Sequence, residues 1–214
     1  MAGEFAIAEV MPGKLNALVK NIMRQTGETD PNKAVRLINS GQWVLVPKLL
    51  HPSSLHEIRL SVASDGTTGK QWVERLKKKD LRVSDYAKQL LLSPDFRPTK
   101  GILYEVLIIK GAYWKNSNSD SNTAKIRSEA LKRKLETPNA EIACLLFEEL
   151  TNVDLEAMGL LWITIMHDPI ASDEGENLLS VYRLDDGPWL DADFGEPEED
   201  WNRHGSFAFV LPQG

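Results

Sequence analysis

Apolar and polar residues alternate with a helical period in the first part of this chain and with a strand period in the last. In "GKLNALVKNIMRQTG", Leu15, Leu18, Val19, Ile22 and Met23 recur at the spacing that lines one face of a helix, and Gly27 follows as a stop. "TDPNKAVRLINSGQW" predicts a second short helix, with Asp30 as N-cap, Pro31 in the first turn and Gly41 at the end. "WVLV" then reads as a brief strand. These elements make an N-terminal helical unit over residues 1–50, closed by the proline of "HPSS", and leave residues 51–214 as the main domain.

The alternation in "EIRLSVAS" predicts a strand that turns through "DGTTG" into a helix, "KQWVERLKKKD". A further helix, "VSDYAKQLLLS", takes Ser84 or Asp85 as its cap and stops at Pro94. "GILYEVLIIKGAYW", β-branched and aromatic, is the clearest buried strand. Beyond the polar loop "KNSNSDSN" come two helices, "TAKIRSEALKRKLE" with exposed bases and "NAEIACLLFEEL" with Asn139 near its cap. "LLWITIMHDP", "NLLSVYRLDD", "GPWLDADF" and "SFAFVLP" follow as strands. The predicted fold class is α+β, helices first, with an antiparallel sheet in the C-terminal half. Trp189, Phe207 and Phe209 carry most of the apolar area available to those strands and are expected inside.

Composition narrows the class without naming a function. A chain that is 42% hydrophobic and 26% charged folds rather than staying disordered. The single cysteine, Cys144, excludes an internal disulfide framework and favours the cytoplasm. The opening residues lack the basic start and long apolar core of a signal peptide. Stretches such as "GLLWITIM" are too short to span a bilayer, so a soluble protein without membrane insertion is expected.

Charge changes the picture more. Residues 1–140 carry 23 Lys and Arg against 14 Asp and Glu, and residues 141–214 carry 2 against 17, so +9 faces −15. Such a split implies opposed surfaces that meet within the molecule or face different partners. The bases of "RLKKKDLR" and "KIRSEALKRK" suit nucleic acid, although no aromatic stacking pattern accompanies them.

Candidate chemistry is sparse. Cys144 sits among leucines and glutamates, without the base or electropositive setting a nucleophile requires, and reads as a packing cysteine. His167 beside Asp168 at a strand end is a candidate acid–base pair, but sequence neighbours on a strand point to opposite faces. His51, His56 and His204 supply no zinc spacing, and the acids supply no EF-hand, so no metal or other cofactor is expected. "DGTTGK" lacks the spacing of a phosphate-binding loop and reads as a strand-to-helix turn. The acidic stretch containing Asp185, Asp186, Asp191, Asp193, Glu196, Glu198, Glu199 and Asp200 is interleaved with Tyr182, Trp189, Phe194 and Trp201. Acids alone make a solvated face, whereas acids with aromatics make the mixture of a recognition surface.

Three phrases carry a resemblance: "SDGTTGKQWVERLKKKDLRVSDYAKQLLLSPDF", "PNAEIACLLFEELTNVDLEAMGLLWITIMHDPI" and the W-x-D-A-D-F-G-E-P … W-N-R-H-G-S-F-A-F-V ending. Over most of its length the chain resembles an uncharacterised family of small proteins from candidate-phyla bacteria. The ending also resembles the last strands of C-type-lectin-like domains, including the variable proteins of diversity-generating retroelements. In those systems adenines of a repeat are randomised and a lectin-type scaffold displays the altered residues. Randomising an AAC codon reaches Tyr182, Arg183, Asp185, Asp186, Asp191, Asp193, Phe194, Asp200, Asn202, Arg203 and His204. It does not reach Trp189, Trp201, Glu196, Glu198 or Glu199, which the resemblance makes scaffold. Arg203 stands where the lectin calcium motif would carry its acid, which counts against calcium-dependent sugar binding.

The resemblance therefore implies a non-enzymatic ligand-binding protein, a C-type-lectin-like display scaffold with a protein or surface ligand. On that reading the reachable residues face solvent on one surface and the two tryptophans support them. The alternatives are a nucleic-acid-associated protein using the basic helices, and a hydrolase using His167 with paired carboxylates.

Overall fold

The apolar run of residues 106–109 lies in β3 (Lys100–Lys110), one strand in from the edge of a curled sheet. The computed structural model describes Asp30 and residues 56–116, 121–202 and 204–212. All of these except Asp30 lie in the unit Lys48–Gly214, so the helices and strand expected before residue 50 fall outside the described residues.

On one side β3 pairs antiparallel with β1 (Glu57–Asp65). On the other it pairs antiparallel with β10 (Ser206–Val210), all five residues of which are buried. A strand buried on both faces must be apolar throughout, and "SFAFV" meets that demand. Next come β5 (Trp162–Ile165), β7 (Gly175–Leu184), β8 (Gly187–Phe194) and β2 (Arg82–Val83), while β6 (Ile170–Ser172) pairs with β7. Most contacts are antiparallel, but β10 runs parallel to β5 and β2 parallel to β8, so the sheet is mixed. A second, two-stranded sheet joins β4 (Ser121–Asn122) to β9 (Asp200–Trp201).

Five helices among the described residues cover the sheet, and they alternate with its strands in the chain. The fold is α+β, with its first described strand preceding its first described helix. α1 (Gly69–Lys78) begins at a capping box in which Gln71 N–H donates to the Thr68 hydroxyl and Thr68 N–H donates to Gln71 Oε1 at 2.9 Å. The "DGTTGK" segment is this turn and cap. α2 (Asp85–Leu92) starts at Ser84, whose hydroxyl accepts from Ala87 N–H at 3.0 Å. α3 (Thr123–Lys132) is capped by Asn122 in the same way. α4 (Glu141–Glu149) is steadied by Asn139, whose side chain accepts from Glu141 N–H. α5 (Asn152–Ala157) has a capping box made by Thr151 and Asp154.

Two apolar layers result. Trp72, Leu76, Leu90, Leu91, Ile142, Leu146, Phe147 and Leu155 from α1, α2, α4 and α5 pack on one face with Val106, Ile108, Ile163, Val181 and Leu190. α3 covers part of the other with Ile126 and Ala130, against Leu107, Ile109, Leu178, Phe207 and Phe209. The residues "GAYW", expected to prolong β3, instead fall within a 3₁₀ helix (Gly111–Asn116), where Gly111 N–H turns away to the Gly205 carbonyl at 2.7 Å. Phe207 and Phe209 are buried as expected. Trp189 is only half-buried, because it lies on β8 near the sheet margin, where just the two-residue β2 follows.

Candidate ligand-binding face

Where α3 stops covering the second face, three strands line up a row of rings. Trp162 on β5 stands opposite Tyr182 on β7, Tyr182 opposite Trp189 on β8, and Trp189 opposite Arg82 on β2. Residues directly opposite share a face of the sheet, so the row is contiguous. The Trp162 and Tyr182 rings stack with centroids 5.8 Å apart and planes 18° from parallel. The Arg82 guanidinium lies 5.6 Å from the centre of the Trp189 ring and pairs with Asp186 in the β7–β8 turn. Gly205 permits the close approach on the far side, since a Cβ there would stand 2.7 Å from the Trp162 ring.

Two residues further along, the same face turns polar. Thr164, Ser180 and Asp191 stand in register, followed by Leu178 and Asp193. The Ser180 hydroxyl donates to Thr164 Oγ1 at 3.0 Å, and the Tyr182 hydroxyl donates to Asp193 Oδ1 at 2.6 Å. Burial raises the Asp193 carboxyl above its ordinary value, with Asp191 adding to the rise and the neighbouring Ser180 and Tyr182 hydroxyls opposing it. Burial, and then the Asp193 charge, push the Tyr182 phenol far above its ordinary value. Tyr182 therefore serves as a donor at any physiological pH. Asp193 Oδ2 and Trp162 Nε1 are buried and find no hydrogen-bond partner among the described residues, an arrangement native proteins seldom tolerate.

The residues expected at a recognition surface separate into groups. Tyr182, Asp191 and Asp193 come together on the face just described. Arg183 points to the opposite face of β7, where Nε donates to the Leu160 carbonyl at 3.1 Å and Nη1 lies 3.5 Å from Glu156. Phe194 is likewise on the opposite face of β8 and is exposed. Asp185 and Asp186 occupy the β7–β8 turn. Asp200 lies in β9, while Asn202 and His204 are exposed in the turn before β10, where Asn202 Oδ1 accepts from His204 N–H. Arg203 is outside the described residues. The expected single surface is thus divided, because strand alternation sends Arg183 and Phe194 across the sheet. Trp201 is half-buried, meets the Phe207 ring edge-on at 5.5 Å and donates through Nε1 to Thr123 Oγ1 at 2.8 Å, as a support would. Sequence reading missed Trp162, Thr164 and Ser180; polar residues at alternate positions of apolar strands were the available signal.

The rival sites are engaged otherwise. His167 is fully buried, its Nε2 accepts from Leu179 N–H at 2.9 Å, and burial holds its pKa down at about 4. Cys144 is buried within α4, and desolvation raises its thiol well above the ordinary range. Lys77, Lys78 and Lys79 lie at the end of α1 on one face, and Lys132, Arg133 and Lys134 at the end of α3 on the other, so among the described residues the two basic runs form no common groove. Several are already paired: Lys79 with Glu148, Arg133 with Glu57, and Lys132 with Glu129. Among the described residues no cluster of His, Cys, Asp and Glu could hold a metal ion, and no helix is long and apolar enough to cross a membrane.

Compared with protein-family models, curated proteins and solved structures, the chain finds no match in any of the three.

Proposed function

We propose that this is a non-enzymatic ligand-binding protein whose recognition surface is the second face of β5, β7 and β8. The observation that carries the reading is the row of Trp162, Tyr182 and Trp189 bordered by Asp193, whose Oδ2 is buried and has no hydrogen-bond partner among the described residues. Aromatic rings give contact area at low entropic cost, and an unpaired acceptor beside them gives orientation. The engagement of the His167 ring by Leu179 and the burial of Cys144 support a binding rather than a catalytic role. The likeness of the ending to lectin-type variable proteins supports the wider reading of a display protein. In that reading Tyr182, Asp191 and Asp193 vary between copies while Trp189 and Trp201 remain as scaffold.

Screening the protein against immobilised glycans and peptides, then repeating with Asp191→Ala, Asp193→Asn and Tyr182→Phe, tests the reading. Binding that weakens in these variants at unchanged melting temperature supports it. A ligand whose binding survives all three, or whose NMR footprint falls on α1 or on the basic C-terminal end of α3, overturns it.

A further inference from the structure

Between the first turn of α3, the turn after His167 and the loop after β8 lies a cleft of about 380 Å³, within the range of small-molecule sites. Arg127 lines it. Its Nη1 donates to the Met166 carbonyl at 3.0 Å and its Nη2 to the His167 carbonyl at 2.5 Å. Both carbonyls need a donor because β5 ends at Ile165 and the chain leaves the ladder there. A guanidinium has five N–H groups, so these two bonds leave three to spare. Arg75, Arg82, Arg133 and Arg183 each reach a carboxylate, whereas Arg127 reaches none among the described residues. A half-buried guanidinium with no carboxylate in bonding distance leans on charges further off.

The rim of the cleft is acidic. Asp168 and Glu176 are exposed there, and their charges oppose the downward pull of burial on Arg127. Glu196 Oε1 accepts from Glu176 N–H at 3.3 Å and adds a third carboxylate nearby. Ala124, Pro169 and Pro197 make the walls apolar. The first N–H groups of α3 are already taken, by the carbonyls of Glu199 and Pro197 and by the Asn122 side chain, so the helix end offers only its dipole. A simple anion entering this cleft meets the rim carboxylates, and a simple cation meets the guanidinium. Only a ligand carrying both charges satisfies both ends.

We propose that this cleft binds a free α-amino acid with an apolar side chain, its carboxylate on Arg127, its ammonium between Asp168 and Glu176, and its side chain against the proline walls. The site is separate from the ring-lined face of β5, β7 and β8 and does not depend on it.

Titration calorimetry with L-leucine, N-acetyl-leucine and leucine methyl ester tests the proposal. Saturable binding of leucine below about 10 mM is expected, with each half-charged analogue weaker by about tenfold or more. Glu176→Gln, a change at an exposed position, should weaken leucine severalfold and leave N-acetyl-leucine unaffected. Arg127→Lys should weaken both; if that variant unfolds, the Glu176→Gln comparison still decides. The proposal is overturned if either analogue binds as well as leucine, if Glu176→Gln changes nothing, or if leucine shows no saturable binding.

Discussion

The backbone N–H of Leu179 donates to Nε2 of His167 at 2.9 Å, and the other ring nitrogen, Nδ1, lies 2.6 Å from the Asp168 carbonyl oxygen. With Nε2 accepting, the proton is on Nδ1 and the ring is neutral. β5 pairs with β7 only as far as Thr164 opposite Ser180, so the imidazole takes the place of a ladder acceptor for Leu179. The His167 ring thus extends the β5–β7 pairing by one hydrogen bond.

That arrangement predicts a pH dependence. Burial depresses the His167 pKa from 6.5 to about 4, so the folded state holds the proton less tightly than the unfolded chain. The resulting stability is fully present above pH 6.5 and is lost as pH falls towards 4, by about 3 kcal/mol in all. Urea unfolding at a series of pH values should show this loss. His167→Ala should flatten it while costing about 1–3 kcal/mol at neutral pH through the unpaired Leu179 amide. An unchanged pH profile in the variant would contradict the assignment.

A second acid-sensitive cluster joins α1 to α4. Glu148 receives Arg75 Nε at 2.6 Å and Lys79 Nζ at 2.7 Å, while Arg75 also binds Asp65. Hydrogen bonds, first from Thr67 and then from Arg75, lower the Asp65 pKa to about 2. Its contribution is present above pH 3.8 and lost as pH falls through 2, a window distinct from that of His167. Glu148→Ala leaves two cations together and should destabilise by about 2 kcal/mol, a value reduced because Arg75 is partly exposed. A loss below about 0.5 kcal/mol in denaturant melts would show that the cluster is ornamental.

Asp193 carries the opposite sign. Its folded pKa is raised, chiefly by burial, so its contribution is greatest in acid and is lost as pH rises through the folded value. Asp193→Asn retains an acceptor for the Tyr182 hydroxyl and removes the buried charge. The variant should melt at or above the wild-type temperature at pH 7 while ligand binding at this face weakens. A cost above about 1 kcal/mol would mean that the carboxylate stabilises the strands rather than serving a ligand.

The centre of the sheet is least tolerant of change. Phe209 is 3% exposed on β10, the strand that connects the β1 and β3 pair to the β5, β7 and β8 ribbon. Phe209→Ala should cost about 3–5 kcal/mol, read from the unfolding midpoint. A near-zero shift would contradict the central position of β10.

The basic helices should bind nucleic acid poorly. With Lys77, Lys78 and Lys79 on the helix that covers one face and Lys132, Arg133 and Lys134 on the helix that covers the other, the two basic runs do not add up to one continuous strip. Fluorescence anisotropy at physiological salt should show no submicromolar binding to DNA or RNA, and any binding seen at low salt should fall steeply as salt rises. Tight, salt-sensitive binding would favour the nucleic-acid reading.

Much of this architecture was legible before folding was considered. The unbroken apolar runs of β3 and β10 announce burial on both faces, and Ser84 and Asn139 mark helix starts by chemistry local to the chain. α5 escaped because six residues are too few to show a period, although Thr151 and Asp154 form its capping box. Alternation alone tells that Asp191 and Asp193 share one face of their strand, whereas the register of the β7–β8 hairpin is what brings Tyr182 to the same face. It does not tell that Trp162 stacks on Tyr182, that β10 inserts between β3 and β5, or that His167 turns inward to Leu179. Periodicity is a property of neighbouring residues, so the sequence by itself determined which residues share a side of each element. Which elements lie side by side depends on contacts between residues far apart in the chain, and only the packing of both faces of the sheet decided that.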